Sequence, residues 1–179
     1  MSAPTLNIRD AAEADLDAVR EIYNHEVRNS ICTFGTQTIN REGMIKWYAS
    51  RDMSRHPLLV CDRGGEIAGW ASLSKWSDRA AYDKAGETSV YVHADHRGTG
   101  VGRALYDELI HRARAIGYRV LIARVAVPNP SSERLHEAVG FVDVGLMREI
   151  GEKFGRLIDV RLMDLHLQHG DRAGGSGLP

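Results

Sequence analysis

Residues 97–102 read Arg-Gly-Thr-Gly-Val-Gly and run straight into a segment with helical spacing, a combination suited to holding an anion. The first N–H groups of a helix have no intrahelical acceptor, and the helix dipole adds positive potential at that end. Glycines let a ligand come close to the main chain. The spacing is not GxGxxG, because residue 103 is Arg, and no Gly-Lys-Ser/Thr follows, so neither the dinucleotide fingerprint nor the P-loop fits. The plain alternative is a helix start whose glycines serve packing alone. Just upstream, His93-Ala-Asp-His96 offers two imidazoles and a carboxylate on a short connector. With no third cluster in view, the sequence predicts no metal.

Such a loop needs a strand in front of it and a helix behind. Glu87 to Val92 reads as the strand, and Val101, Ala104, Leu105, Leu109 and Ala113 mark a helix to Ile116 that Gly117 ends. Earlier, Leu6 to Arg9 predicts a short strand, followed from Asp15 by a helix with Leu16, Val19, Ile22, Tyr23 and Val27 on one face. A second helix spans about Asn40 to Arg51, and Pro57 bars its continuation. His56 to Asp62 and Glu66 to Ser74 form a hairpin about Arg63-Gly64-Gly65. Residues 75–86 break the periodicity and mix aromatic with charged side chains, as binding loops do. Val120 to Val127 is an apolar strand stopped by Pro128-Asn129-Pro130, and Ser131 or Ser132 caps a short helix through Val139. Phe141 to Glu149 and Leu157 to Leu167 close the chain as paired strands. The expected class is α/β: a mixed sheet with helices on both faces, in one domain over residues 1–167, with 168–179 a flexible polar tail.

Composition narrows the function. Of 179 residues, 23 Lys and Arg face 24 Asp and Glu, leaving a net charge of -1, so no overall positive field favours a nucleic-acid backbone. No run approaches the ~18–20 apolar residues of a membrane span. Cys32 and Cys61 are far apart and outside any CxxC spacing, which suits free thiols and a cytoplasmic address.

Arg97, Gly100 and Gly102 match the R-x-x-G-x-G of the GNAT N-acetyltransferases, with ETSVYV ahead of the loop and NPSSERLHEAVGF resembling that superfamily's next block. More narrowly, residues 6 to 167 resemble the phosphinothricin and methionine sulfoximine acetyltransferases through IYNHEV with Phe34 downstream, RAAYD, ETSVYV, HRGTGVG, PNPSSERLHEAVGF and GEKFGRLIDV. The resemblance implies the GNAT fold: a twisted mixed sheet of about six or seven strands, splayed near its middle and flanked by about four helices. It implies acetyl-CoA as co-substrate, a small amino-acid-like amine as acceptor, and a homodimer. Two positions depart from the family pattern: a frequent lysine is Ser77 here, and a frequent tryptophan is Leu157.

By the same resemblance, the pyrophosphate falls to Arg97, Gly98, Thr99, Gly100, Val101 and Gly102, and the pantetheine arm to the main chain of Val90, Tyr91 and Val92 and to Asn129 and Ser131. Acetyl transfer needs a neutral amine, so a base is required, and Glu87 is the candidate; its alternative is a surface glutamate at a strand end. His136 is placed to protonate the departing thiolate, or else is a hydrogen-bonded histidine that shapes the pocket. Arg79 and Tyr82 are expected to contact the acceptor, a guanidinium fork matching a carboxylate or an oxidised phosphorus or sulfur group. Phe34 walls the pocket, and Tyr91 and Tyr106 line it, unless all three are core packing. Cys32 invites a covalent acyl-enzyme, but no adjacent histidine and acid are evident, so direct transfer is expected. The reading that follows is transfer to the α-amino group of a small amino-acid analogue. The alternatives are another small amine or a protein N-terminus, or a non-catalytic CoA-binding sensor.

Overall fold

The computed structural model describes residues 5–167, so the tail expected at 168–179 lies outside the described residues. The elements are β1 (Asn7–Asp10), α1 (Leu16–Asn29), α2 (Arg41–Ala49), β2 (Leu58–Asp62), β3 (Ile67–Lys75), β4 (Ala85–Val92), α3 (Val101–Ile116), β5 (Val120–Val127), α4 (Pro130–Ala138), β6 (Val142–Lys153) and β7 (Arg156–His166). Their order is the one the periodicity predicts. The seven strands form one sheet in the order β1-β2-β3-β4-β5-β7-β6. All pairs are antiparallel except β4 with β5.

Strand alternation puts helices on both faces. In β2, Leu58 and Val60 pack with Leu16, Val19, Ile22 and Met44 of α1 and α2, while Leu59 and Cys61 pack with Leu105, Leu109 and Ala113 of α3. Leu58, Leu59, Val60 and Cys61 are all fully buried, and each of the three aliphatic side chains contributes about 1.5–3 kcal/mol of transfer free energy.

Three boundaries differ from the sequence reading. α4 starts at Pro130 with Asn129 as its cap, in place of the expected Ser131 or Ser132, because the Asn129 side chain accepts the Ser132 N–H. β4 begins at Ala85, inside the expected loop, because Gly86 is a strand residue: a Cβ there would sit 2.9 Å from the Tyr118 ring. β6 runs on to Lys153 instead of ending at Glu149. Its register jumps between Met147 and Gly151, and Glu149 takes a φ of 52° while its N–H donates to Asp159 Oδ1 at 2.7 Å. A bulge of this kind breaks the period-two pattern without ending the strand.

Candidate active site

β4 and β5 pair at only three rungs, Ala85–Val120, Gly86–Leu121 and Glu87–Ile122, and then part. β4 stays bonded to β3 up to Val92, and β5 to β7 along its length, so the sheet is split at its centre. The N–H of His93 goes to Ala68 O at 2.9 Å on the β3 side. Alternate amides point opposite ways along a strand, so those of Val90 and Val92 face the split. A cleft of about 860 Å³ occupies it. Side chains alternate as well: Val90 and Val92 pack on the α3 side, whereas Tyr91 packs on the α1–α2 side. Thr88 therefore shares the α3 face, and Glu87 the opposite one.

On the α3 face lies the glycine loop. Gly98 and Gly100 have φ of 73° and 89°, the left-handed region that favours glycine, and a Cβ on either would meet nothing within 4 Å. The first intrahelical bond of α3 is Ala104 N–H to Gly100 O at 3.0 Å, which leaves the amides of Val101, Gly102 and Arg103 for a ligand. Gly102 serves another purpose, since its Cβ would stand 2.9 Å from Leu135 Cδ2, so it lets α4 close on α3. Val101 is buried and presents only its main chain. The Thr99 hydroxyl donates to His96 O at 2.7 Å. The guanidinium of Arg97, which the sequence reading gave to the anion, is instead paired with Glu26 of α1.

Asn129 caps α4: its Oδ1 accepts from Ser132 N–H at 3.2 Å and from the Ser131 hydroxyl at 3.1 Å. Its Nδ2 has no partner among the described residues and is the part left for a ligand in the cleft.

His136 and Tyr106 form one unit. His136 is buried, with Nδ1 2.7 Å from Ser132 O and Nε2 2.6 Å from Tyr106 Oη. A carbonyl only accepts, so Nδ1 carries the proton and Nε2 accepts from Tyr106. Tyr106 Oη also lies 3.2 Å from Thr88 Oγ1. Burial lowers the His136 pKa from its usual value, opposed by the Ser132 carbonyl, and keeps the ring neutral. The same burial pushes the Tyr106 phenol up, so it keeps its proton. Tyr106 is fully buried in α3 and belongs to this relay rather than to an acceptor wall.

On the opposite face, Glu87 is held by Arg124 of β5 through two bonds, Nε to Oε1 at 2.7 Å and Nη2 to Oε2 at 2.8 Å. Arg124 is the single charge in the apolar run Val120 to Val127, a signal to which the sequence reading gave no role. Tyr91 stacks on Trp70 with ring centroids 4.6 Å apart and meets Tyr23 edge-on at 5.7 Å. Phe34 lies across Gly151 of β6, where a Cβ would approach its ring within 2.5 Å. The segment carrying Phe34 is fastened at both ends. Asn24 bonds both main-chain groups of Ile39, at 2.8 and 2.9 Å. The buried Lys153 ammonium donates to Thr33 O at 2.8 Å and to Glu26 O at 3.3 Å.

Burial opposes the ionisation of Glu26, but hydrogen bonds from Ser30 and Cys32 and the Arg97 charge outweigh it and hold the acid below the usual carboxylate range. Burial pushes the Cys32 thiol up to about 12, so it is no nucleophile at neutral pH.

The structure does not bring Arg79 and Tyr82 to this cleft. Tyr82 lines a separate cavity of about 650 Å³ together with Ser77, Arg51 and Tyr118, and Arg79 is exposed outside both. Of the two family departures, Ser77 faces that second cavity and Leu157 is 60% exposed on β7, so neither reaches Glu87.

The histidines of HADH do gain the third group that the sequence did not show. Ligand atoms of Glu66, His93 and His96 lie within 4.8 Å of one another. Arg63 also reaches His96 Nδ1 at 3.3 Å, and its charge opposes a cation there.

Comparison with known proteins adds a family and relatives. The model of the acetyltransferase (GNAT) family matches residues 17–141. The L-amino acid N-acyltransferase MnaT of Escherichia coli is 38% identical over 90% of this chain and 94% of its own. The L-methionine sulfoximine/L-methionine sulfone acetyltransferase of Salmonella typhimurium is 37% identical over 90% and 95%. Among solved structures, a phosphinothricin acetyltransferase of Sinorhizobium meliloti in complex with AcCoA superposes with a TM-score of 0.89 at 35% identity, covering 96% of this chain and 94% of that one.

Proposed function

The chain belongs to the acetyltransferase (GNAT) family, and from that premise we propose how its cleft carries out acetyl-CoA-dependent N-acetylation of a small amino-acid analogue of the methionine sulfoximine or phosphinothricin type. The observation that carries this reading is the split strand. One face of β4 presents a carboxylate beside an aromatic pocket, and the other presents the anion loop beside a buried phenol and imidazole.

The residues fit acetyl-CoA. The free amides after Gly100 suit its pyrophosphate, one of the Val90 and Val92 amides together with Asn129 Nδ2 suits its pantetheine arm, and a cleft of about 860 Å³ admits it. When bound, it supplies the acetyl group as a thioester. Glu87 takes the proton that leaves the acceptor amine, directly or through one water. An amide turned into the split, Val90 or Val92, donates to the carbonyl oxygen as it gains charge. Tyr106 turns its O–H from His136 Nε2 to the departing sulfur and protonates it, water restores the phenol's proton afterwards, and Thr88 and His136 flank the ring. His136 thus acts through Tyr106 rather than by direct contact, because both its nitrogens are already bonded. Cys32 takes no part, and transfer is direct.

The assembly we propose is a homodimer. β6 is an edge strand, and Val142, Val144, Leu146, Ile150, Phe154 and Leu157 expose 47–60% of their area on the β6–β7 hairpin. An apolar strip on a free edge favours cover by another chain. No helix among the described residues is long and apolar enough to cross a membrane, and the two free cysteines suit the cytoplasm.

Thiol release from acetyl-CoA, measured across methionine sulfoximine, methionine sulfone, phosphinothricin, simple amines and an N-terminal alanine peptide, tests the reading. Turnover concentrated on the amino-acid analogues is expected. Turnover of the peptide or of simple amines in preference to them would overturn it.

A further inference from the structure

Glu87 cannot easily serve as a base in the state described above, since each of its oxygens already accepts an N–H from Arg124. The pair is unequal. The Arg124 side chain is 53% exposed and the Glu87 side chain 17%, so the arginine is the partner free to move. On β5, Leu121, Ala123 and Val125 pack toward α3, so Arg124 projects to the other face, with Glu87 and Tyr91. It stands two residues past the last β4–β5 rung, at the lip of the split, with its guanidinium carbon 5.9 Å from the centre of the Trp76 ring.

The other cations near the cleft are committed elsewhere or face the other way. Arg97 belongs to the glycine loop before α3, away from Glu87, and is paired with Glu26; Arg103 is paired with Asp107, and the Lys153 ammonium with two main-chain carbonyls. Arg134 belongs to α4, on the donor side.

We propose that Arg124 is the specificity-determining anchor for the carboxylate of the acceptor, and that engaging it draws Arg124 off Glu87 and frees the base. The inference rests on the amino-acid acceptor proposed above. An α-amino acid carries one negative and one positive group on the same carbon. Entering between Glu87 and Arg124, it replaces one ion pair by two: its carboxylate takes the guanidinium fork, and its ammonium comes to the Glu87 carboxylate. An amine without the carboxylate has nothing to exchange for the existing pair and leaves the base occupied. Selection of the acceptor and release of the base are then one event.

The test compares methionine sulfoximine with its decarboxylated amine on the parent enzyme, Arg124→Gln and Arg124→Lys, with acetyl-CoA affinity from calorimetry as the check of folding. In Arg124→Gln, the ratio of kcat/KM for the amino acid to that for the amine should collapse by about 10- to 150-fold, mostly through KM of the amino acid. Arg124→Lys should recover part of it, a point charge replacing a fork. A ratio unchanged in Arg124→Gln, whether both substrates suffer equally or neither does, overturns the inference and makes the pair a staple across the split. A parent enzyme that works on simple amines but on none of the amino-acid analogues overturns the acceptor reading itself, and the role of Arg124 with it.

Discussion

Replacing Gly100 by alanine separates ligand approach from backbone strain, and the structure supplies its own control. At Gly100 the added Cβ meets no protein atom within 4 Å, so no clash opposes folding. The cost is conformational, because a φ of 89° in a residue with a Cβ costs about 1–2 kcal/mol. In a chain of this size that lowers Tm by about 2–8 °C. Gly64, in the β2–β3 turn, has a φ of 72° and equally open surroundings, so Gly64→Ala should show a similar drop. Gly100, unlike Gly64, is the cap residue directly before the free amides of α3, where an added methyl group takes space a bound anion would use. The loss of one charge-assisted main-chain bond there predicts an acetyl-CoA Kd raised by about 10- to 150-fold. Calorimetric titration of both variants with acetyl-CoA, alongside thermal melts, provides the comparison. If Gly100→Ala melts like Gly64→Ala and binds acetyl-CoA as tightly as the parent, the loop does not hold the pyrophosphate.

Glu87→Gln keeps the shape of the side chain and removes the base, so kcat should fall by about 10²–10⁴, with the deficit narrowing as pH rises and the acceptor amine loses its proton unaided. Full turnover at neutral pH would remove Glu87 from the mechanism. His136 predicts an acid-sensitive fold. Its pKa is lowered from 6.5 in the folded protein, so the unfolded chain binds the extra proton, and stability is lost as pH falls through and below about 6.5. His136→Gln should flatten that part of a Tm-against-pH curve, and an unchanged slope would assign it to other groups. Leu157→Asp places a charge in the exposed apolar strip, so light scattering should report a monomer, and a dimer that persists would move the interface to another surface.

How much of this was legible in the sequence follows from distance along the chain. The element order could be read because each strand and helix advertises its own period, and the glycine loop because strand, glycines and helix are contiguous. β4 starting at Ala85 was hidden because Gly86 reads as a loop residue until Tyr118 is seen against it. The site's partners were the least legible part. Arg124 lies 37 residues from Glu87, and Lys153 lies 127 residues from Glu26. Such charged residues look like any solvated side chain until the sheet closes. Arg97 shows the converse. Its place in the loop suggested an anion, but a buried glutamate on α1, 71 residues earlier, claims its guanidinium.

The three rungs between β4 and β5 also bear on how the molecule breathes. Sheets are ordinarily most protected from solvent exchange at their centre and least at their edges. Here the amides of Val90 and Val92 lie mid-sheet, yet face an open wedge with no strand across it. In deuterium they should exchange early, like those of an edge strand, while their β3-facing neighbours Ser89 and Tyr91 exchange late. The slow core would then fall into two blocks, β1 to β4 and β5 to β7, with a permeable seam between them along the cleft.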